Sequence, residues 1–509
     1  MNIKNKLLRK GQGIAMIFCF LFLGCENFLE EKPYSFLAPE NFYNDEKDAL
    51  SALVGAYAGL GVGSNNFLAR RLHYLTWFPS DEAYPPTLAP QRQLDDFTFA
   101  SDHVDVNQTW TQMYDAINRS NVVIGRVANI EMDESLKQQY IAEAQFIRAL
   151  CYFYGVRLWG AIPLITDEVT SVEQVSNATR DSEDLVYGQI ISDLESAAQY
   201  LPAENQDGRA SLGAAKGLLA KVFLTRASSV AGSSEDYQRC ADLAKEVIDS
   251  PNHQLVSNYQ NAIGVANKFN PESLFELQGD RVLIPLGMHT IFGQFTIPRD
   301  IIGLVPEEGQ TGNSDIVSEI NYFNLYDDRD YRKESTFVTE GVNRQGEHVT
   351  WESFTFPYPH PAWKYVDQTS SSRNGYAFSA NFVVLRLADV YLMRAEALNE
   401  INGPSAEAYE MINAIRERAR NRDGVTPSTY PENLEGLSQD EFRDAVLMER
   451  AIELGFEGHR WFDLVRTGRL LETIRSINPS SAIAEKHYLF PIPADELIIN
   501  ENLTQNPGW

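Results

Sequence analysis

Between Asp184 and Leu201 apolar side chains recur every three or four residues, at Val186, Ile190, Leu194, Ala197 and Leu201, and the run stops at Pro202. That is one stripe of a 3.6-residue period, so the spacing predicts a helix with one face on a core. The same spacing predicts helices over 107–130, 136–159, 212–227 and 237–248. The pattern is sharpest at 385–420, where LRLADVYLMRAEALNEI meets the breaker Asn402-Gly403-Pro404 and continues as SAEAYEMINAIRERAR. Tyr409, Ile412, Ile415 and Ala419 share a face of the second run, which predicts an antiparallel helix hairpin. Ser438 and Glu441 have the spacing of a capping box, opening a helix whose stripe is Phe442, Val446, Ile452 and Phe456. Hairpins in series predict stacked helix pairs of the tetratricopeptide type, although no strict repeat of about 34 residues is present.

From about Pro251 to Ala380 the texture changes to Gly, Pro, Asn and aromatics with few helical runs, too long for an ordinary connection. Irregular segments on a rigid scaffold are where binding usually resides. The expected organisation is a processed leader over 1–24, a helical part over 25–250, and a part over 251–509 that is irregular to 380 and helical over 381–470. Both parts are expected to pack as one compact unit.

The leader reads as processing information. Lys4, Lys6, Arg9 and Lys10 precede the apolar run Ile14 to Leu23, and Gly24-Cys25 follows at once. The run is too short for a permanent bilayer span. A small residue before Cys at its end resembles a bacterial lipobox, with Phe22 where Leu is usual, so Cys25 is the expected lipidation site. The mature chain would then be tethered by lipid. Glu26, Glu30 and Glu31 follow as an acidic linker.

Composition removes several classes. The 509 residues are 44% hydrophobic and 11% aromatic, enough for a large core. Net charge is −27, and loss of the four basic leader residues makes it more negative still, which repels a phosphate backbone, so no nucleic-acid partner is expected. Four cysteines without a CxxC pair disfavour structural zinc and a disulfide framework. Cys151 and Cys240 are expected as buried thiols. No histidine forms HExxH, and no GxSxG or GxxxxGK[ST] run occurs. Asp327, Asp328 and Asp330 lack the spacing of a calcium loop. No metal and no cofactor are expected.

Several stretches together resemble the SusD/RagB family over nearly the whole mature chain: CENFLEEKP after the lipobox, FYNDEKDALSALVGAY at 42–57, AEAQFIRALCYFYGVRLWGAIPL at 142–164, LRLADVYLMRAEAL at 385–398, ERAIELGFEGHRWFDLVRTG at 449–468 and the closing PIPADELIINENLTQNPGW. The resemblance implies a mostly α, SusD-like unit in which tetratricopeptide-type hairpins carry a large loop-rich ligand-binding segment. It implies a glycan-capturing lipoprotein on the outer-membrane surface, acting as a lid on a SusC-type TonB-dependent transporter. The acidic stretch after Cys25 matches in kind the family's surface-export signal.

The resemblance places no binding residue by motif, so chemistry selects them. Sugars offer C–H patches to aromatic faces and hydroxyls to fixed polar groups. In WESFTFPYPHPAWKY, 351–365, six of fifteen residues are Phe, Trp or Tyr, and three prolines forbid a helix. Trp351, Tyr358 and Trp363 are candidates there. Trp77 and Tyr84 with Asp81 form a second cluster, and Phe292 with Phe295 a third. Trp77 and Trp351 rank first, as the largest faces beside polar groups. Each ring has the alternative of packing in a satellite core.

The group Glu449, Arg450, Glu453, Glu457, Arg460, Asp463 and Arg466 invites a glycosidase reading, but carboxylates at four-residue spacing with interleaved arginines are accounted for by helix-face ion pairs and a hairpin clamp. The expected function is non-catalytic capture of an oligosaccharide. The alternatives are the same architecture binding peptide or another nutrient, and a lipid-anchored glycoside hydrolase using carboxylates of 77–105 or 300–330.

Overall fold

The computed structural model describes residues 42–61, 67–279, 292–304, 311–367, 379–422 and 427–509. The leader and Cys25 lie outside the described residues. Asp45–Trp509 forms one compact unit.

The helices form where the apolar stripes fall. In chain order they are α1 (Glu46–Gly61), α2 (Leu72–Trp77), α3 (Ala89–Asp95), α4 (Val104–Val127), α5 (Glu134–Trp159), α6 (Glu183–Tyr200), α7 (Leu212–Ala227) and α8 (Asp236–Ile248), then α9 (Tyr331–Thr336), α10 (Leu387–Asn402), α11 (Ala406–Ala419), α12 (Gln439–Glu453) and α13 (Arg460–Arg466). Starts are set by side chains that accept orphan backbone N–H groups: Asp133 for α5, Ser182 for α6, Ser405 for α11. The capping box of Ser438 and Glu441 opens α12. Gly403, at φ 79°, ends α10 at the breaker.

These helices stack in series. α1 packs on α4, α4 on α5, α5 on α6, α6 on α7, α7 on α8, α8 on α10, and α10 on both α11 and α12. Each pair is a hairpin or joins neighbouring hairpins, the layered helical arrangement that the periodicity and the resemblance imply. Cys151 and Cys240 are buried and unbridged. Among the described residues no helix is long and apolar enough to cross a membrane.

Two details differ from the periodicity. Leu385 and Arg386 belong to a strand that runs directly into α10, because Phe382–Arg386 pairs antiparallel with Ser273–Leu277. Phe456 lies beyond α12, which ends at Glu453, and it adopts φ 61° to turn inward.

The segment 251–380 carries short strands rather than helical layers. Its strands are β2 (Ser273–Leu277), β3 (Ile301–Ile302), β4 (Val317–Ser318), β5 (Glu340–Asn343) and β6 (His348–Thr350), and they are joined by β1 (Ala83–Tyr84) and β7 (Phe382–Arg386) from outside it. They pair as β1-β4, β2-β7 and β3-β5-β6. Beneath β3 to β6 lies a separate apolar cluster of Ile297, Ile301, Leu304, Val338, Phe354, Ala362 and Val366. The irregular segment therefore has a core of its own.

The last twenty residues fold back on the N-terminal helices. Phe490 N donates to Leu158 O, Ala494 N to Ser101 O, and Trp159 Nε1 to Pro491 O. Asn500 Nδ2 reaches Val175 O and Ala178 O, while Arg180 donates to Thr504 O and to Asn506.

Candidate functional site

Two of the predicted aromatic residues, 274 positions apart in the chain, meet at the surface. Tyr84 ends β1, which pairs with β4 in the register Tyr84↔Val317 and Ala83↔Ser318. Ser318 N donates to Pro359 O at 2.9 Å, laying the proline-rich segment along the same edge. Pro357 and Pro359 limit the backbone around Tyr358. The Tyr84 and Tyr358 rings stack with centroids 5.3 Å apart and planes 28° from parallel. Both stay half-buried, so neither is sealed in a core.

Charged groups rim this ledge. The Arg92 guanidinium, which donates to Pro86 O at 2.7 Å, lies 5.5 Å from the Tyr84 ring centroid. Asp95, the last residue of α3, is raised to about 8 by burial and then by Glu319 and Asp96. Glu319, next to β4, is raised to about 7 by burial and by Asp81. The ledge thus combines partly exposed aromatic rings with carboxyl groups that accept hydrogen bonds from hydroxyls and, protonated, donate them. Arg92, Asp95 and Glu319 were not singled out by residue in the sequence; the adjacency of β1 to β4, which no local pattern encodes, gathers them.

The structure withdraws other candidates. Trp77 is 0% exposed, stacked on His73 at 4.8 Å and packed on Phe292 at 5.0 Å, so it has no face for a ligand. Every residue of α2 is buried, and LHYLTW has no charged carboxylate, lysine or arginine to turn outward. Phe292 is likewise 0% exposed, and Phe295 is buried with Arg70 5.3 Å from its ring. Asp81 is buried and takes a two-pronged bond from Arg460 at 2.8 and 2.7 Å. These four residues hold the scaffold.

Trp351 and Trp363 are placed differently. Both are half-buried and pack one side on the Ile297–Val366 cluster. Trp351 lines a cleft of ≈ 730 Å³ with Tyr331, Glu340 and Glu352. Trp363 lines a second cleft of ≈ 360 Å³ that includes Arg422. Glu334 borders both clefts.

The charged group at 449–466 is structural, but not in the way its spacing predicted. Its ion pairs cross the fold instead of running along one helix face. Glu449 takes bonds from Arg332 and Arg416, and Glu453 from Arg332, Arg386 and Arg418. Glu457 pairs with Arg386 and Lys364, and Arg450 with Asp389 and Asp463. Arg466–Asp463 is a local pair, at 2.9 Å. Burial and this density of partners leave these carboxylates no route to a substrate. In the Asp-rich string, Asp327 pairs with Arg329, Asp328 with Lys333 and Asp330 with Arg332. Among the described residues no cluster suited to a metal ion occurs.

The comparisons with known proteins agree with this architecture. The sequence profile described as "SusD family" matches residues 226–509, and one described as "Starch-binding associating with outer membrane" matches 27–224. "SusD-like protein P2" of Formosa agariphila is 32% identical over 99% of this chain and 100% of that protein. A SusD homologue of Bacteroides thetaiotaomicron superposes with TM-score 0.82 at 25% identity, over 92% of this chain and 98% of that one. A laminarin-binding SusD-like protein superposes with TM-score 0.74 at 28% identity, over 92% of this chain and 100% of that one.

Proposed function

This chain belongs to the SusD family, and from that membership we propose that it is a non-catalytic receptor holding an oligosaccharide on the Tyr84–Tyr358 ledge at the outer-membrane surface. It hands the glycan to a SusC-type TonB-dependent transporter, and a lipid on Cys25 anchors it. The observation that carries the reading is the stacked, half-exposed tyrosine pair with carboxyl groups at its rim. Flat apolar faces bounded by hydroxyl-binding groups suit a sugar better than a peptide. The laminarin bound by one structural relative and the starch named for the family's N-terminal profile are both glucans, which makes glucans the first ligands to try.

Asp95 and Glu319 also suit the hydrolase alternative, since one lies in 77–105 and the other in 300–330. Hydrolysis needs two carboxyls of divided character, one kept protonated and one ionised. Burial raises both here, Asp95 to about 8 and Glu319 to about 7, so turnover is what separates the two readings. A receptor leaves the oligosaccharide intact, whereas release of new reducing ends over hours refutes the non-catalytic reading.

The direct test is a calorimetric screen of the processed chain, beginning at Glu26, against plant, algal and microbial oligosaccharides, followed by Tyr84→Ala and Tyr358→Ala. Each stacked ring contributes on the order of 1–3 kcal/mol, so each variant should weaken binding about tenfold or more with its melting temperature kept. Unchanged affinity in both refutes the ledge. Mild-detergent extraction from native membranes should bring a β-barrel transporter with the chain; its consistent absence refutes the transport role.

A further inference from the structure

We propose that the two tryptophan clefts on either side of Glu334 form one furrow that binds a second stretch of glycan, independently of the Tyr84–Tyr358 ledge. The proposal rests on the reading of the chain as a glycan receptor, but uses none of the ledge residues.

Each cleft has one wall on the same apolar cluster. Trp351 and Trp363 are seated on the cluster beneath β3 to β6, which fixes the indoles while leaving part of each uncovered. The Trp351 backbone is further located by the bond from its amide N–H to Thr339 O at 2.8 Å. A pre-seated indole loses little rotamer freedom when a sugar stacks on it. With volumes of ≈ 730 and ≈ 360 Å³, the clefts have the size of small-ligand sites, and the larger accommodates more than a single monosaccharide.

One exposed side chain is common to both linings. Glu334 projects from α9 and pairs with Arg422 at 2.7 Å, with side chains 48% and 56% exposed. A pair this open holds its geometry weakly, so a chain of sugar units can displace it and exchange its bonds for bonds to hydroxyls. The nearby charges are mostly neutralised in pairs: Lys333 with Asp328 at 2.6 Å and Arg329 with Asp327 at 2.7 Å. Glu340, 3.6 Å from His348 Nε2, and Glu352 lie on the rim as exposed acceptors. An indole floor, neutralised walls and a rim of oxygen acceptors recognise a polyhydroxylated chain.

The test uses laminarin oligosaccharides and the other oligosaccharides of the screen as probes, with calorimetric stoichiometry and affinity as readouts. Wild type should bind two equivalents of a short oligosaccharide. Trp351→Ala and Trp363→Ala should each weaken one equivalent by about tenfold or more and leave the other, while Tyr84→Ala has the complementary effect. Because truncating an indole on a core can cost stability, Glu334→Trp is the second variant: it fills the shared wall from an exposed position and should block the furrow with the melting temperature unchanged. One equivalent that falls with Tyr84→Ala and ignores the tryptophan and Glu334 variants overturns the furrow and keeps the ledge. One equivalent that falls with the furrow variants and ignores Tyr84→Ala overturns the ledge and the two-site claim together. No binding to any probe overturns both.

Discussion

Replacing Glu453 by Gln removes one negative charge from the centre of a closed set of buried ions. Arg332, Arg386, Arg416, Arg418 and Lys364 face Asp330, Glu272, Glu449, Glu453 and Glu457, with equal numbers of each sign. Arg386 approaches Glu453 at 2.6 Å and Arg332 at 3.1 Å, and Arg418 also donates to it. The amide keeps the volume but leaves one arginine charge uncompensated in the interior. Breaking a buried pair on one side costs about 3–5 kcal/mol. The titration of Glu453 gives a compatible figure. Burial alone would raise its pKa, yet Arg418, Arg386 and Arg332 hold it at about 2, below the ordinary 4.5. At about 1.4 kcal/mol per unit this displacement is worth about 3 kcal/mol. A depressed carboxylate stabilises the fold fully above its unfolded pKa, and the contribution is lost as pH falls toward the folded value. With an unfolding entropy of about 2.1 cal/mol/K per residue over Asp45–Trp509, the loss lowers Tm by about 3–5 °C at pH 7. Calorimetric melts of wild type and Glu453→Gln should therefore differ by that amount at neutral pH and converge between pH 4.5 and 2, with ledge affinity unchanged at pH 7. A gap under 1 °C at pH 7, or one that does not narrow with acid, refutes the assignment of stability to this network.

Trp77→Ala empties a site enclosed by His73, Phe292, Tyr365 and Phe456, and should cost about 3–5 kcal/mol, lowering Tm by several degrees in a thermal melt. Ser438→Ala removes one half of the capping box and should cost about 1 kcal/mol, seen as faster hydrogen exchange in the first turn of α12. Cys25→Ala should abolish acyl labelling and release the protein from membranes, and labelling that persists in the variant refutes the lipobox.

The helical scaffold was legible because each layer writes its stripe locally. Val186 to Leu201 and Tyr409 to Ala419 needed only their own spacing, and Ser438 with Glu441 only three intervening bonds of chain. The site was less legible because its parts are non-local. Aromatic content marked Tyr84, Tyr358, Trp351 and Trp363, but it marked Trp77 and Phe292 equally, and composition does not tell a ring on a ledge from one in a core. The cue for Trp77 was available in LHYLTW, which holds no acidic residue, lysine or arginine. The partners of Glu449 and Glu453 were invisible for the same reason as Asp95 and Glu319: Arg332 lies 117 residues from Glu449, and the strand pairing that brings Glu319 beside Tyr84 spans more than 230 residues.

The return of the closing segment to the first helices sets an order of events. Leu158 O, Ser101 O, Val175 O and Arg180 lie in the part of the chain made first, yet their partners Phe490, Ala494, Asn500 and Thr504 are made last. A chain that emerges from export N-terminus first therefore presents the N-terminal helices with acceptors still open to water and one flank of Trp159 uncovered, and the layer closes only when those partners arrive. Such long-range closure is slow compared with the forming of hairpins. Asp45–Trp509, though its two parts are matched by separate profiles, should thus unfold as one cooperative unit, and 45–224 produced alone should remain loosely packed.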